Sequence, residues 1–103
     1  MRIIKEKTLV ELFEKKSYKN IEPALRSWIY EVRHSDWNSP AELKAKYGSA
    51  SIISAKRVVF NIKGNAYRLV VDIEYKLKIV FIVWFGTHQE YGKIDINTVR
   101  YDN

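Results

Sequence analysis

The sequence predicts an α+β fold in which N-terminal helices pack on a mainly antiparallel sheet. Three observations predict it. Between residues 67 and 75, Tyr67, Leu69, Val71, Ile73 and Tyr75 alternate with Arg68, Asp72 and Glu74, the period-two pattern of a half-buried strand. The run KIVFIVWF, Lys78 to Phe85, is apolar on both faces and rich in β-branched and aromatic residues. Such a run suits a central strand covered on both sides, which should be the most buried element. Upstream, Ala24, Leu25, Trp28, Ile29 and Val32 recur at helical spacing, giving one buried stripe. Helices first and strands afterwards put the helices on one face of the sheet.

Taken in order, Arg2 to Lys5 (RIIK) is a short candidate strand. Thr8 then opens TLVE, where a Thr cap with Glu three positions on forms a capping box and predicts a helix start. Leu9, Leu12 and Phe13 fall on one face of that helix, with Glu11, Glu14, Lys15 and Lys16 toward water, and Ser17 to Asn20 is a polar break. Asn20 is the expected N-cap of the second helix, which carries Pro23 in its first turn and runs to about Arg33, with His34 as a capping or surface residue. Ser39-Pro40-Ala41-Glu42 predicts a third helix through Leu43 to Tyr47, stopped by Gly48. Residues 49–56, SASIISAK, lack a decisive pattern and lead into the sheet. The strand from Arg57 is joined to the next by Lys63-Gly64-Asn65, where Gly and Asn tolerate the positive φ of a tight turn. Lys76-Leu77 is a weaker turn signal between the last two strands.

A chain of 103 residues, 47% hydrophobic and 14% aromatic, is expected to form one domain, residues 1–103, with a single core. It has no cysteine, so neither disulfides nor thiolate chemistry arise. No apolar run approaches the roughly 20 residues that cross a bilayer, and the charged start MRIIKEKTLVELFEKK has no signal-peptide core. The expectation is a cytoplasmic protein without membrane association. Its formal charge of +6 is unevenly spread. Lys44, Lys46, Lys56, Arg57, Lys63, Arg68, Lys76 and Lys78 face only Asp72 and Glu74 within residues 44–78, and the remaining segments cancel. Such a surface suits an acidic partner, or else it is a set of solvated lysines guarding sheet edges.

Polar, titratable residues cluster in Gly86-Thr87-His88-Gln89-Glu90-Tyr91-Gly92-Lys93, directly after the apolar strand. A rigid strand end can hold such groups near solvent. An imidazole changes charge between about pH 5 and 8, so His88 is the natural general acid or base, unless the cluster serves only to satisfy a loop. A zinc site would need a second histidine or a cysteine near His88, Glu90 and Asp95, and no P-loop pattern surrounds Gly64. What fits is chemistry on a phosphodiester with no metal or cofactor. Cleavage of RNA needs a base for the 2′-OH, cations for the phosphorane and an acid for the leaving 5′-oxygen. His88 suits base or acid, Arg68 and Lys63 suit phosphate clamps, and Tyr91, Glu90 or Lys93 suit orientation or proton transfer. Arg68 points away from the Leu69 face, and so lies on the open side if helices cover the other. Tyr67 and Tyr75 could stack on bases, yet their place in the alternation favours core packing.

At these residues the chain resembles a known family. VFNIKGNAYRLV (residues 59–70) and GTHQEYGKID (86–95) are similar to the two signature segments of HigB-type toxins of the RelE superfamily, as are ALRSW (24–28) and WNSPAEL (37–43). The resemblance implies the small microbial ribonuclease fold and an endonuclease that cuts mRNA on the ribosome. It also implies a cognate HigA-type helix-turn-helix antitoxin. Carried over by position, Asn61, Lys63, Asn65 and Arg68 belong to the first motif and His88, Glu90, Tyr91 and Lys93 to the second. Where the family often has an acidic residue after that Tyr, this chain has Gly92. On this reading the basic excess, with Lys56, Arg57, Lys63, Lys76 and Lys78, becomes a surface for mRNA and ribosomal RNA phosphates, of which four to six contacts would make affinity strongly salt-dependent. The alternative is an RNA- or ribosome-binding module that blocks translation without cutting.

Overall fold

The computed structural model describes residues 1–12 and 20–100. A five-stranded sheet runs in the order β1-β5-β4-β3-β2, with β1 Arg2–Ile4, β2 Ser51–Ile52, β3 Arg57–Ile62, β4 Tyr67–Glu74 and β5 Ile79–Thr87. Its neighbours are antiparallel except β1, which lies parallel to β5 with Arg2 opposite Ile79. Helices α1 (Glu6–Leu12), α2 (Glu22–Arg33) and α3 (Pro40–Lys46) precede the meander, and α4 (His88–Tyr91) follows it. The α+β class and the mainly antiparallel sheet are as the sequence predicts.

The helical stripe is buried as expected. Leu25, Trp28, Ile29 and Val32 of α2, Leu9 and Leu12 of α1 and Leu43 of α3 join Val58, Phe60, Ile62, Tyr67, Leu69, Val71, Ile73, Val80 and Ile82 in one core. Burial of each such side chain stabilises the fold by about 1.5–3 kcal/mol before conformational entropy is counted. Trp28 and Tyr47 both pack edge-on against Phe60, which favours one arrangement of the aromatic core. Tyr67 is buried and stacks on Phe85.

Helix starts depart from the sequence reading in two places. Helix α1 begins at Glu6, not Thr8, because Lys5 at φ 70° turns the chain straight out of β1 and Thr8 N already donates to Lys5 O. Asn20 is not the cap of α2. It takes φ 60°, a left-handed conformation that Asn tolerates, and Ile21 stands at the cap with no side-chain hydrogen bond. Burial of Ile21 and the placement of Pro23 in the first turn set that boundary instead. Phe13, Glu14, Lys15, Lys16 and the break from Ser17 lie outside the described residues. At α3, Ser39 Oγ accepts from Glu42 N as predicted, and the C-cap is Tyr47, one residue before Gly48.

The sheet brings three further corrections. The middle strand is β4, not β5, and β4 is also the more buried of the two. The two-residue β2 is formed out of the featureless segment 49–56, by pairing Ser51 and Ile52 with Val59 and Val58. In the first hairpin the positive φ values belong to Lys63 and Gly64, not Asn65. A register shift between Val70 and Val71 lets β5 carry one extra residue, a bulge that puts Val83 and Trp84 on the same side. Val59, Val70 and Val83 thereby form a second, smaller core on the face away from the helices, against Ile53, Trp84, Tyr91, Ile96 and Val99. The apolar run of β5 is thus covered on both sides, by helices on one and by the C-terminal segment on the other.

Candidate functional site

The two polar segments singled out in the sequence meet at one end of the sheet. Strand register sets Asn61 opposite Arg68 and Arg68 opposite Gly86, a row across β3, β4 and β5 on the face away from the helices. The tip of the β3–β4 hairpin then reaches α4, where His88 N donates to Ala66 O at 3.0 Å. Helix α4 is anchored by a complete capping box. Thr87 Oγ1 accepts from Glu90 N at 3.1 Å, and Glu90 Oε1 accepts from Thr87 N at 2.7 Å. The local motif T-x-x-E therefore dictates how the strand turns into the helix.

Within this frame Arg68 is held with donors to spare. Its Nη1 donates to Asn65 O at 3.0 Å and Tyr67 O at 3.2 Å, while no carboxylate pairs with it among the described residues. Its Cζ lies 5.9 Å from the centroid of the Tyr91 ring, within cation–π range. Tyr91 is half-buried beside Trp84, ring centroids 6.3 Å apart. The His88 side chain is exposed and its imidazole has no hydrogen-bond partner among the described residues. Lys93 is exposed just beyond α4, and its N–H donates to Glu90 O. Asn61 Nδ2 lies 3.4 Å from Asn65 Oδ1, and Lys63 and Asn65 form the exposed hairpin tip. Glu90 has one carboxylate oxygen committed to the cap, which gives it a structural duty the sequence reading treated only as the alternative.

The remaining sequence candidates lie elsewhere. Arg57 pairs with Asp72 in register, four residues along β4 from Arg68, about 13 Å at the rise of a strand. All three of its nitrogens are engaged. Nε and Nη2 grip the Asp72 carboxylate at 2.8 Å each, and Nη1 donates to Ile96 O at 3.1 Å and Val99 O at 2.7 Å. Arg57 is thus a clamp that holds the C-terminal segment on the sheet, with its guanidinium nitrogens turned to protein acceptors. Lys78 is likewise occupied, by Trp37 O, Asn38 Oδ1 and Asp36. Lys56 lies near Glu74, with 3.8 Å between the charged atoms, and Lys76 is exposed in the β4–β5 turn, both at the far end from α4. The basic residues of segment 44–78 are therefore split three ways, with Lys44 and Lys46 on α3, Lys63 and Arg68 at the α4 end of the sheet, and Lys56, Arg57, Lys76 and Lys78 toward the other end. Trp84, which the sequence reading counted with the buried strand, is half-buried on the same face as Arg68.

His34 is exposed, with Nδ1 2.8 Å from Tyr30 O and its ring over Tyr30, a helix-end role rather than a catalytic one. Among the described residues no three His, Asp or Glu side chains are grouped closely enough to hold a metal ion, and no helix there is long and apolar enough to cross a membrane. No curated protein matches the chain. A family model described as the RelE-like toxic component of a toxin–antitoxin system, HigB_toxin, matches residues 21–94, which include α2, α3, the hairpin, the whole of β5 and α4. The chain belongs to that family, and is the toxic member of a system whose other member is an antitoxin.

Proposed function

We propose that this toxin is a ribosome-dependent endoribonuclease, an mRNA interferase that cuts translated messages by general acid–base chemistry. The observation that carries the reading is the junction of hairpin tip and α4, where Arg68 lies beside the Tyr91 ring and His88 and Lys93 are exposed at the two ends of α4. In the reaction a base removes the proton of a ribose 2′-OH, whose oxygen attacks the adjacent phosphorus. The bond to the 5′-oxygen breaks as an acid protonates it, leaving a 2′,3′-cyclic phosphate and a 5′-hydroxyl. Arg68, with donors still free, neutralises the extra charge of the phosphorane. His88 is the proton-transfer group, and Tyr91 or Lys93 supplies or takes the second proton. Glu90 acts chiefly by holding α4. Asn61, Lys63 and Asn65 extend the phosphate-binding surface along the hairpin.

The toxin acts as one domain over residues 1–103, in the cytoplasm, and is silenced by a HigA-type helix-turn-helix antitoxin. The test is a cleavage assay on purified ribosomes carrying a defined mRNA, with free mRNA in parallel and new 5′ ends mapped. Discrete cuts in the A-site codon, ending in a 5′-hydroxyl and lost in His88→Ala, support the reading. Intact mRNA on stalled ribosomes refutes it and leaves a binding module that blocks translation without cutting.

A further inference from the structure

Trp28 and Trp37 are core residues under the helices, 4% and 5% exposed. Trp84 differs from both. It is only half-buried and lies on the opposite face, two residues before Gly86 and on the side of the sheet that carries Arg68. Its six-membered ring is laid along its own strand across Gly86. A Cβ at that glycine would come within 2.6 Å of Cη2 and 2.7 Å of Cζ2, closer than atoms can sit, so any other residue there would push the indole away. Side chains on a strand ordinarily stand roughly perpendicular to the sheet. Here the missing Cβ lets the largest aromatic ring of the open face lie down toward the Arg68–Tyr91 pair.

The resulting row is a guanidinium, a phenol ring and an indole, with Arg68 Cζ 5.9 Å from the Tyr91 centroid and Tyr91 6.3 Å from Trp84. Val59, Val70 and Val83 beneath are buried. Trp84 packs against those three with part of its ring, and the part left exposed lies on the same face as an arginine with spare donors. We propose that Trp84, laid over Gly86, is a stacking surface for a nucleobase next to the phosphate that Arg68 holds. Its ligand is a base of single-stranded RNA, and the inference rests on the endoribonuclease reading above. An aromatic face accepts any base, so this contact positions the message without dictating its sequence.

The test is single-turnover cleavage on ribosomes whose A-site codon carries an abasic ribose at each of its three positions in turn. Wild-type protein should lose about five- to a hundredfold in rate at one position, the equivalent of one lost base stack. Trp84→Phe, which keeps a π face, should retain that position-dependence. Trp84→Leu, which keeps apolar bulk alone, should be slower on the intact codon and show no further loss at that position. Equal abasic penalties in wild type and Trp84→Leu overturn the proposal. So do uniform wild-type rates across the three abasic messages, a result that needs no variant and is unaffected should Trp84→Leu not fold. Failure of wild type to cut the intact codon would instead bring down the nuclease reading, and this proposal with it.

Discussion

Removing the Arg57 side chain separates a structural arginine from an RNA-binding one. Arg57→Met keeps the aliphatic length but deletes four hydrogen bonds, two to the Asp72 carboxylate and two to the carbonyls of Ile96 and Val99. The Arg57 side chain is only 12% exposed, whereas that of Asp72 is 33% exposed, so water can partly rescue the carboxylate once its partner is gone. Breaking a fully buried pair costs about 3–5 kcal/mol; with that partial rescue the expected loss is about 2–4 kcal/mol. For a domain of this size that is a fall in Tm of roughly 10–25 °C. Urea unfolding of Arg57→Met, Asp72→Asn and the double variant measures it, and the double variant should lose less than the sum of the singles because the pair is coupled. The ribosome-cleavage rate, measured well below the lowered Tm, should fall far less than in Arg68→Met. A Tm within about 2 °C of wild type together with weakened RNA binding would refute the clamp and return Arg57 to the RNA surface.

Three further outcomes are expected. Gly86→Ala should cost about 1–3 kcal/mol through overpacking, because its Cβ meets the Trp84 ring and lies 2.8 Å from Glu90 Oε1; an unchanged Tm and unchanged tryptophan emission would count against that arrangement. Burial, reinforced by a hydrogen bond from the phenol to Glu31 and by the charge of Glu31, pushes the Tyr47 hydroxyl well above its ordinary value. The folded state then favours neutral Tyr47, so its contribution is fully present below the unfolded value of about 10 and declines as pH rises above it. The stability gap between wild type and Tyr47→Phe should accordingly narrow from pH 9 to 11.5 in urea titrations, and a constant gap would contradict this. Lys63→Ala at the hairpin tip should reduce the salt slope of RNA binding by about 0.7, measured by anisotropy across salt concentrations, whereas Lys78→Met should leave that slope unchanged.

Much of this protein was legible from local chemistry. The alternation at Tyr67 to Tyr75, the stripe at Leu25, Trp28, Ile29 and Val32, and the cap at Ser39 all depend on residues within a few positions of one another. Such signals survive in one dimension, because rise per residue and hydrogen-bond reach are properties of the backbone. Arg68 and the segment from Gly86 to Lys93 were legible as two separate motifs, and the pairing of Arg68 with Gly86 that makes them neighbours was not.

What only the tertiary structure decided concerns partners distant in sequence. Arg57 and Arg68 are equally basic on paper, yet one is closed on Asp72, Ile96 and Val99 and the other keeps donors open beside Tyr91. Lys78 reads as a surface cation until Trp37 O and Asp36 are seen against it. The short β2, the parallel β1 and the central place of β4 likewise arise from pairing, since an edge segment becomes a strand only when a neighbour presents unfilled N–H and C=O groups. Sequence determined which residues can carry charge, turn or pack. The fold decided which of the charges remain free to meet a ligand, because a cation's availability depends on the acceptors that three-dimensional packing brings within hydrogen-bond reach.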